Sequence, residues 1–365
     1  MAKPNPENEV AKRDYLRWLE NAQGRDEDTV DQVAAALARF EAHNGHKAFT
    51  SYNPEQAISF KGALARQTTA AGKPLSTATR YSILRHLKAF FEWLSREPGY
   101  RRSVRFRDAA YFKPTDNEAR IATARRSRPA PSLEQVHHVL ATMPADTAIE
   151  RRDRAVVALI LLTGARDAAA ASIRLSNLDI SRRTLFQDAR HMATKRAKTF
   201  VSDFYPVGGH AEAIVAAWKD ELTIAHLFGP DDPLFPATLV SCSAEGAFAA
   251  AGFKREPWSN ADPIRRIFKA AFERAGLPYY NPHSLRQTIM RLGYDLNLSQ
   301  KELKAWSLNM GHDSIHTSVG SYGHLDDHEK ADVMRGIGAR ANANPADPVA
   351  MLKTVLAVLE KQPAA

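Results

Sequence analysis

Residues 281–293, NPHSLRQTIMRLG, set a histidine and an arginine three apart at the opening of an apolar run. Ile289, Leu292 and Leu296 recur at helical spacing, which predicts a helix over 283–296 with His283 in its first turn. Side chains three apart share a helix face, so His283 and Arg286 are expected to point one way. An imidazole beside a guanidinium suits a small anion. Four further stretches carry matching chemistry. LILLTGARDAAAAS closes an apolar helix at Thr163-Gly164 and then presents Arg166. HMATKRAKTF puts Lys195 and Lys198 near a hairpin turn, WSLNMGHDS has His312 directly after a glycine, and SVGSYGHL offers Tyr322. Two arginines, a lysine, two histidines and a tyrosine thus fall at the ends of elements, where side chains can converge.

The elements that must position these residues form two groups. A chain of 365 residues with 44% apolar content can bury a sizeable core and is long enough for two domains. In the first group the pattern predicts helices at about 7–22, 27–44, 53–68 and 76–97, a bundle of four or five helices with one basic side. STATRYSILRHLKAFFEWLSR has the clearest period, with Tyr81, Leu84, Leu87, Phe91 and Leu94 inward and Arg80, Arg85, Lys88 and Arg96 elsewhere. TDNEARIATARRSRPAPS has no hydrophobic period, ends in two prolines and reads as an extended basic linker. Ser132 with Gln135 then forms a capping-box signature for a new helix. Beyond it, helices are expected at 133–143, 151–162, 167–174, 209–225, 243–251, 260–275, 283–296, 299–309, 313–322 and 326–337. LDI, TLFQD and FVSDFYPV form a β-meander. The expected class is mostly α with a small antiparallel β-sheet.

Charge separates the two groups. Residues 1–131 carry a net +8 of the chain's +9, concentrated between Arg80 and Arg128, while residues 132–365 are close to neutral. A charge run is usually a solvated face, but a basic module with a basic tether is also what a phosphate-tracking protein needs. Cys242 is the only cysteine, which excludes an internal disulfide and argues against a thiolate metal site. No apolar run approaches a membrane helix, and MAKPNPENEVAKRD lacks the apolar stretch of a signal peptide. A cytoplasmic, nucleoid-associated protein is expected.

On these residues the chain resembles the tyrosine recombinases of the phage-integrase family. Thr163-Gly164-Ala165-Arg166 resembles the first arginine motif, His283-Ser284-Leu285-Arg286 the H-x-x-R motif, Gly311-His312 the third motif, and Tyr322 the nucleophile. Lys195 resembles the family's β-hairpin lysine, because TKRAK keeps a three-residue gap between two lysines. The match runs from about 132 to 337 in motif order. The N-terminal module resembles the family's core-binding domain only in length, composition and place. Any one motif is weak; five in order are specific.

The resemblance implies the catalytic set Arg166, Lys195, His283, Arg286, His312 and Tyr322, with no cofactor. Phosphate chemistry demands the same groups. Attack by a tyrosine on a DNA phosphodiester builds negative charge on the non-bridging oxygens, and preorganised cations must meet it. Two arginines can do so, being planar, permanently charged donors to phosphate. Arg166 and Arg286 are therefore expected to clamp the scissile phosphate, with His283 and His312 donating alongside. Tyr322 would form a 3′-phosphotyrosine and Lys195 would protonate the departing 5′-oxygen. Arg80, Arg85, Lys88, Arg125, Arg126 and Arg128 are the candidate DNA-backbone contacts.

Each residue also has a plainer role. Arg166 could pair with Asp167, His283 could cap its helix, and Lys195 and Lys198 could be solvated turn residues. Tyr279, Tyr280 and Tyr294 compete with Tyr322. The histidines 312, 316, 324 and 328 are too loosely spaced to suggest zinc. Two departures from the family pattern stand out. Ala169 replaces the usual carboxylate three residues after the first arginine, leaving Asp167 as the near substitute. Tyr322 lies ten residues after His312 where nine is common.

The expected organisation is a helical core-binding domain over 1–119, a basic linker over 120–131, a catalytic domain over 132–341, and a tail with an exchange helix over 342–365. The expected function is site-specific recombination of double-stranded DNA, integrating or excising a mobile element. Assembly as a homotetramer on DNA through that C-terminal helix follows from the resemblance, with accessory DNA-bending proteins as possible partners and no membrane. The alternatives are a type IB topoisomerase-like enzyme and a non-catalytic DNA-binding relic.

Overall fold

The computed structural model describes residues 3–69, 71–124, 129–194, 197–242, 248–312 and residue 335. Two compact units divide the chain between residues 125 and 126.

The N-terminal unit contains α1 (Pro6–Asn21), α2 (Glu27–Asn44), α3 (Pro54–Arg66), α4 (Thr77–Leu94) and α5 (Asp116–Thr123). Asn5, Asp26, Asn53 and Ser76 start the first four, each side chain accepting backbone N–H groups that the first turn leaves without partners. The core is aromatic. Phe40 meets Phe60, Phe91 and Phe112 edge-on, each at 5.4 Å, and Tyr52 stacks on Phe91 at 4.1 Å. Along α4 the buried positions are Ile83, Leu84, Leu87, Phe90, Phe91 and Leu94, while Tyr81 is only half-buried.

The basic linker begins later than its composition suggests. Residues 116–123 form α5, closed by a reciprocal capping box between Thr115 and Glu118, and α5 packs along α4. The helix buries no residue fully and leaves Ile121 exposed, so no hydrophobic period announces it.

The C-terminal unit opens at α6 (Leu133–Thr142), where Ser132 and Gln135 form the expected capping box. α7 (Ala148–Thr163) is its central helix, with every residue from Ala155 to Thr163 buried. The short α8 (Asp167–Ala170) leads to an antiparallel sheet of β1 (Leu178–Asp179), β2 (Thr184–Gln187) and β3 (Phe200–Asp203), in which Leu185 pairs with Ser202 and Gln187 with Phe200. After α9 (Ala211–Ile224) comes a second antiparallel pair, β4 (Pro236–Cys242) and β5 (Phe248–Pro257). α10 (Asp262–Arg274), α11 (Ser284–Asp295) and α12 (Gln300–Asn309) complete the described unit.

Of the helix expected at 243–251, residues 248–251 belong to strand β5 instead, and 243–247 lie outside the described residues. The alanine-rich AFAAAG favours helix, but intrinsic propensity is a weak prior that tertiary pairing overrides. Val240 pairs with Ala250 and Ser241 with Ala249, and the strands are rooted by Arg152. This buried arginine donates to Pro236 O at 2.8 Å and to Thr238 Oγ1 at 2.9 Å, and lies over the rings of Trp258 and Phe253. Helices expected at 313–322 and 326–337, and the C-terminal helix of 342–365, lie outside the described residues, apart from Arg335. Among the described residues no helix is long and apolar enough to cross a membrane.

Candidate active site

Three element ends converge in the C-terminal unit. The first is the end of α7, fixed by burial on all sides. Thr163 Oγ1 donates back to Leu159 O at 2.7 Å and accepts the N–H of Ala165 at 3.2 Å. Gly164 stops the helix at φ 62°, a left-handed turn that costs a residue with a Cβ and suits glycine. Half-buried Arg166 follows. The second is the start of α11. Asn281, not His283, caps it, its Oδ1 accepting the N–H of Ser284 at 3.2 Å. His283 is exposed at the N-cap position and makes no capping bond, whereas Arg286 one turn on is buried. The third is the end of α12, where Met310 and Gly311 (φ 72°) lead to His312.

Arg286 joins all three. Its Nη1 donates to Gly164 O, and its Nη2 donates to Met310 O at 3.0 Å and to His312 Nε2 at 2.7 Å. Gly164 and Met310 are the C-caps of α7 and α12, so the guanidinium sits where two helix dipoles present their negative ends. These carbonyls orient the planar fork and offset its desolvation without contributing a formal negative charge. An anion arriving here therefore meets a cation already aimed.

Arginine has donors only, so His312 Nε2 must present its lone pair to Nη2 and the ring proton resides on Nδ1. Nδ1 lies 3.5 Å from Ser307 Oγ. Burial, and then the charges of Arg286, Arg166, His283 and Lys198, press the imidazole's pKa down to about 3. This differs from the expected donation by His312 to phosphate: in this arrangement Nε2 accepts from the arginine and holds it. Arg166 from the α7 end, Lys198 from the β2–β3 hairpin, His283 and Arg286 from α11 all act on one imidazole at the end of α12.

Lys198, named in the sequence only as the second lysine of TKRAK, is placed here directly. Its Nζ donates to Gly311 O at 3.3 Å. Lys195 and Tyr322 lie outside the described residues. Asp167, the suggested substitute for the carboxylate absent at Ala169, turns to α10, its Oδ2 accepting from Arg265 Nε at 2.9 Å. Ala169 is buried.

The competing tyrosines are placed for other work. Tyr280 packs edge-on to Phe272 at 5.4 Å, and Tyr279 is exposed before the α11 start. Burial raises the pKa of Tyr294, opposing the phenolate a nucleophile needs. Tyr205 donates to Trp306 O at 2.8 Å, and burial likewise raises its pKa. Among the described residues no group of three His, Cys, Asp or Glu is placed to hold a metal ion.

A sequence profile of the phage integrase family matches residues 132–329, more than half of the chain. The chain belongs to the phage integrase family. The matched segment includes Arg166, Lys195, His283, Arg286, His312 and Tyr322. Tyrosine recombinase XerC 2 of Ralstonia nicotianae is 23% identical over 250 residues, which cover 68% of this chain and 64% of that protein. The chain thus spans somewhat under two thirds of that relative's length. Among solved structures, a lambda integrase dimer bound to a COC′ core site aligns with TM-score 0.58 at 16% identity, covering 87% of this chain and 79% of that one. The Tn1549 transposon integrase in complex with a circular intermediate DNA aligns with TM-score 0.55 at 15% identity, covering 89% and 98%. These likenesses show the fold: the mostly helical integrase architecture with small antiparallel sheets.

The candidate DNA-backbone residues separate by environment. On α4, Arg85 is exposed, while Lys88 is held by Glu92 at 2.6 Å. Arg80 donates to Thr77 Oγ1 at 3.3 Å and lies 3.8 Å from Glu118 of α5. Arg125, Arg126 and Arg128 lie outside the described residues. Sequence reading missed the carbonyls of Gly164 and Met310, and the residues Ser307, Phe200 and Asn309 that pack the third element end. The αL signals of Gly164 and Gly311 pointed to the turns, but no motif reveals a carbonyl's direction.

Proposed function

We propose that the chain is a site-specific DNA recombinase that cleaves and rejoins strands through a 3′-phosphotyrosine, integrating or excising a mobile element. The observation that carries this reading is the buried Arg286 guanidinium, held by Gly164 O, Met310 O and His312 Nε2 where the ends of α7, α11 and α12 meet, with Lys198 of the hairpin bonded to Gly311 O beside it. Arg286, held by two helix ends, and Arg166 neutralise the non-bridging oxygens as phosphorus becomes pentacoordinate. The phenolic oxygen of Tyr322 gives up its proton to solvent and bonds to phosphorus as the bond to the 5′-oxygen breaks. A lysine of the β2–β3 hairpin returns a proton to that oxygen; Lys195 is the motif residue and Lys198 stands three positions away. Energy stored in the phosphotyrosine ester allows a 5′-hydroxyl to reverse the step on the same or another strand. Four copies on DNA, linked through the C-terminal helix and acting in the cytoplasm at the nucleoid, complete the proposal.

The test is covalent capture. Wild-type protein incubated with supercoiled plasmid and with DNA flanking its own gene should yield protein–DNA adducts and recombinants, and Tyr322→Phe should still bind DNA but form no adduct. Adducts that persist in Tyr322→Phe and vanish in Tyr294→Phe would move the nucleophile. Plasmid relaxation without recombinants would favour a topoisomerase-like enzyme, and binding without adducts a relic.

A further inference from the structure

The β2–β3 hairpin is fastened to the end of α12 by a contact that no motif describes. Asn309 uses its side-chain amide as a peptide group would use its own. Its Oδ1 accepts the N–H of Asp203 at 2.7 Å, and its Nδ2 donates to Asp203 O at 2.9 Å. A single side chain thereby occupies the open edge of β3, which β2 pairs on the other side. The Asn309 carbonyl joins in, accepting from Ser202 Oγ at 3.0 Å, and Gln187 Nε2 of β2 donates to that same hydroxyl at 2.9 Å.

Lys198, Phe200 and Ser202 are spaced two apart, the period that puts strand side chains on one face. All three meet the α12 end. Lys198 reaches Gly311 O, Ser202 reaches Asn309 O, and the Phe200 ring leaves so little room that a Cβ on Gly311 would lie 2.5 Å from it. The amide of Asn309 is the attachment farthest along the strand from Lys198, and the one that fixes the backbone rather than a side chain.

We propose that Asn309 is a positioning residue for leaving-group protonation: by pinning Asp203 it sets the hairpin's reach, and so the place of Lys198 over the phosphate that Arg286 holds. The inference rests on the strand-cleavage reading above. Without Asn309 the arginine clamp keeps both of its carbonyls, because these come from Gly164 and Met310. The lysine loses its register. Chemistry that needs the lysine should therefore suffer, and chemistry that needs only the clamp should not.

A DNA substrate with sulfur in place of the 5′-bridging oxygen separates the two, since a thiolate leaves without needing a proton. Adduct formation by full-length Asn309→Ala should fall about 10- to 100-fold on ordinary DNA, the scale of a misplaced group, and return to within about threefold of wild type on the sulfur substrate. Ser202→Ala, which removes one hydroxyl, should show a smaller loss of the same kind, and it decides the matter if Asn309→Ala has no cooperative melting transition. Arg286→Ala should fail on both substrates. Equal losses on the two substrates, or no loss on either, would overturn the positioning role while leaving strand cleavage intact. If wild-type protein forms no adduct on either substrate, the cleavage reading falls and this inference falls with it.

Discussion

The two units handle positive charge in opposite ways. Residues 1–131 hold +8 of the chain's +9, yet the N-terminal core is a stack of phenylalanines and tyrosines, and its basic residues on α4 are exposed or paired at the surface. The C-terminal part is near neutral but buries Arg286 and Arg152 outright. Net charge draws a polyanion near and leaves its position loose. A buried guanidinium fixes one phosphate, because its donors are already oriented by carbonyls that water cannot replace. The largest effects of mutation should therefore come from the less charged unit.

Arg286 should be the most sensitive position. Removing a preorganised donor to a developing oxyanion costs about 3–4 kcal/mol, so Arg286→Ala should lower single-turnover cleavage by two to three orders of magnitude. Arg286→Lys should recover little, since one ammonium cannot span Gly164 O, Met310 O and His312 Nε2 together. Substantial cleavage by the lysine variant would mean that charge alone suffices, and the contrast between the units would collapse.

Gly311→Ala comes next. The position has φ 72° and a methyl would meet the Phe200 ring at 2.5–2.9 Å. The backbone penalty alone is about 1–2 kcal/mol, and displacing Phe200 moves the hairpin as well. Thermal melting should fall, and Phe200→Leu in the same chain should recover part of the loss but not the backbone share. Full recovery would show that φ here is unstrained.

Much of this was legible in the sequence, for a reason visible in particular residues. Capping at Ser132–Gln135, the stop at Gly164 and the run of Ile and Leu in α7 are local signals that located the start of this unit and the element end carrying Arg166, as the period of Ile289, Leu292 and Leu296 located the start of α11 with Arg286. Burial was not legible. His283 and Arg286 share a spacing that suggests one face, yet one is exposed and the other enclosed, because enclosure depends on α7 and α12. The role of His312 was hidden likewise: its tautomer is set by a partner 26 residues away. The β4–β5 pair escaped because its alanines favour helix locally and only pairing across the chain makes them strand.

His312 gives a pH signature confined to the C-terminal site. Its pKa lies near 3 in the folded protein, against an ordinary 6.5. Between those values the unfolded chain binds a proton that the native site refuses, so this contribution is fully present above about pH 6.5 and is lost as pH falls toward 3. His312→Asn keeps an acceptor for Arg286 and removes the titration. Between pH 6.5 and 5, wild type should lose about 1–2 kcal/mol more stability than the variant in urea titrations. Carboxylates such as Asp188, held near 2, respond at lower pH, and His86, shifted the same way by burial, is common to both proteins. Parallel curves would mean that the imidazole is protonated in the native site.

The smallest effects should lie on α4, and they separate three basic residues that the sequence could only group together. Arg85 is exposed, so it is free to meet a phosphate and release a counterion. Lys88 has Glu92 within 2.6 Å and must exchange that partner for DNA, which leaves little net gain. Arg80 is turned toward Thr77 and Glu118, where it ties α5 to α4. Arg85→Ala in the full chain should therefore lower the slope of log affinity against log salt by about 0.9, uniformly across DNA sequences. Lys88→Ala should change the slope by less than half of that, and Arg80→Ala should lower the melting temperature of the N-terminal unit more than it alters the slope. Equal slope changes for Arg85 and Lys88 would mean that the Glu92 pair dissolves on contact with DNA. A slope unmoved by Arg85→Ala would assign the basic surplus of this unit to solvation, leaving phosphate recognition to the buried arginine of the other.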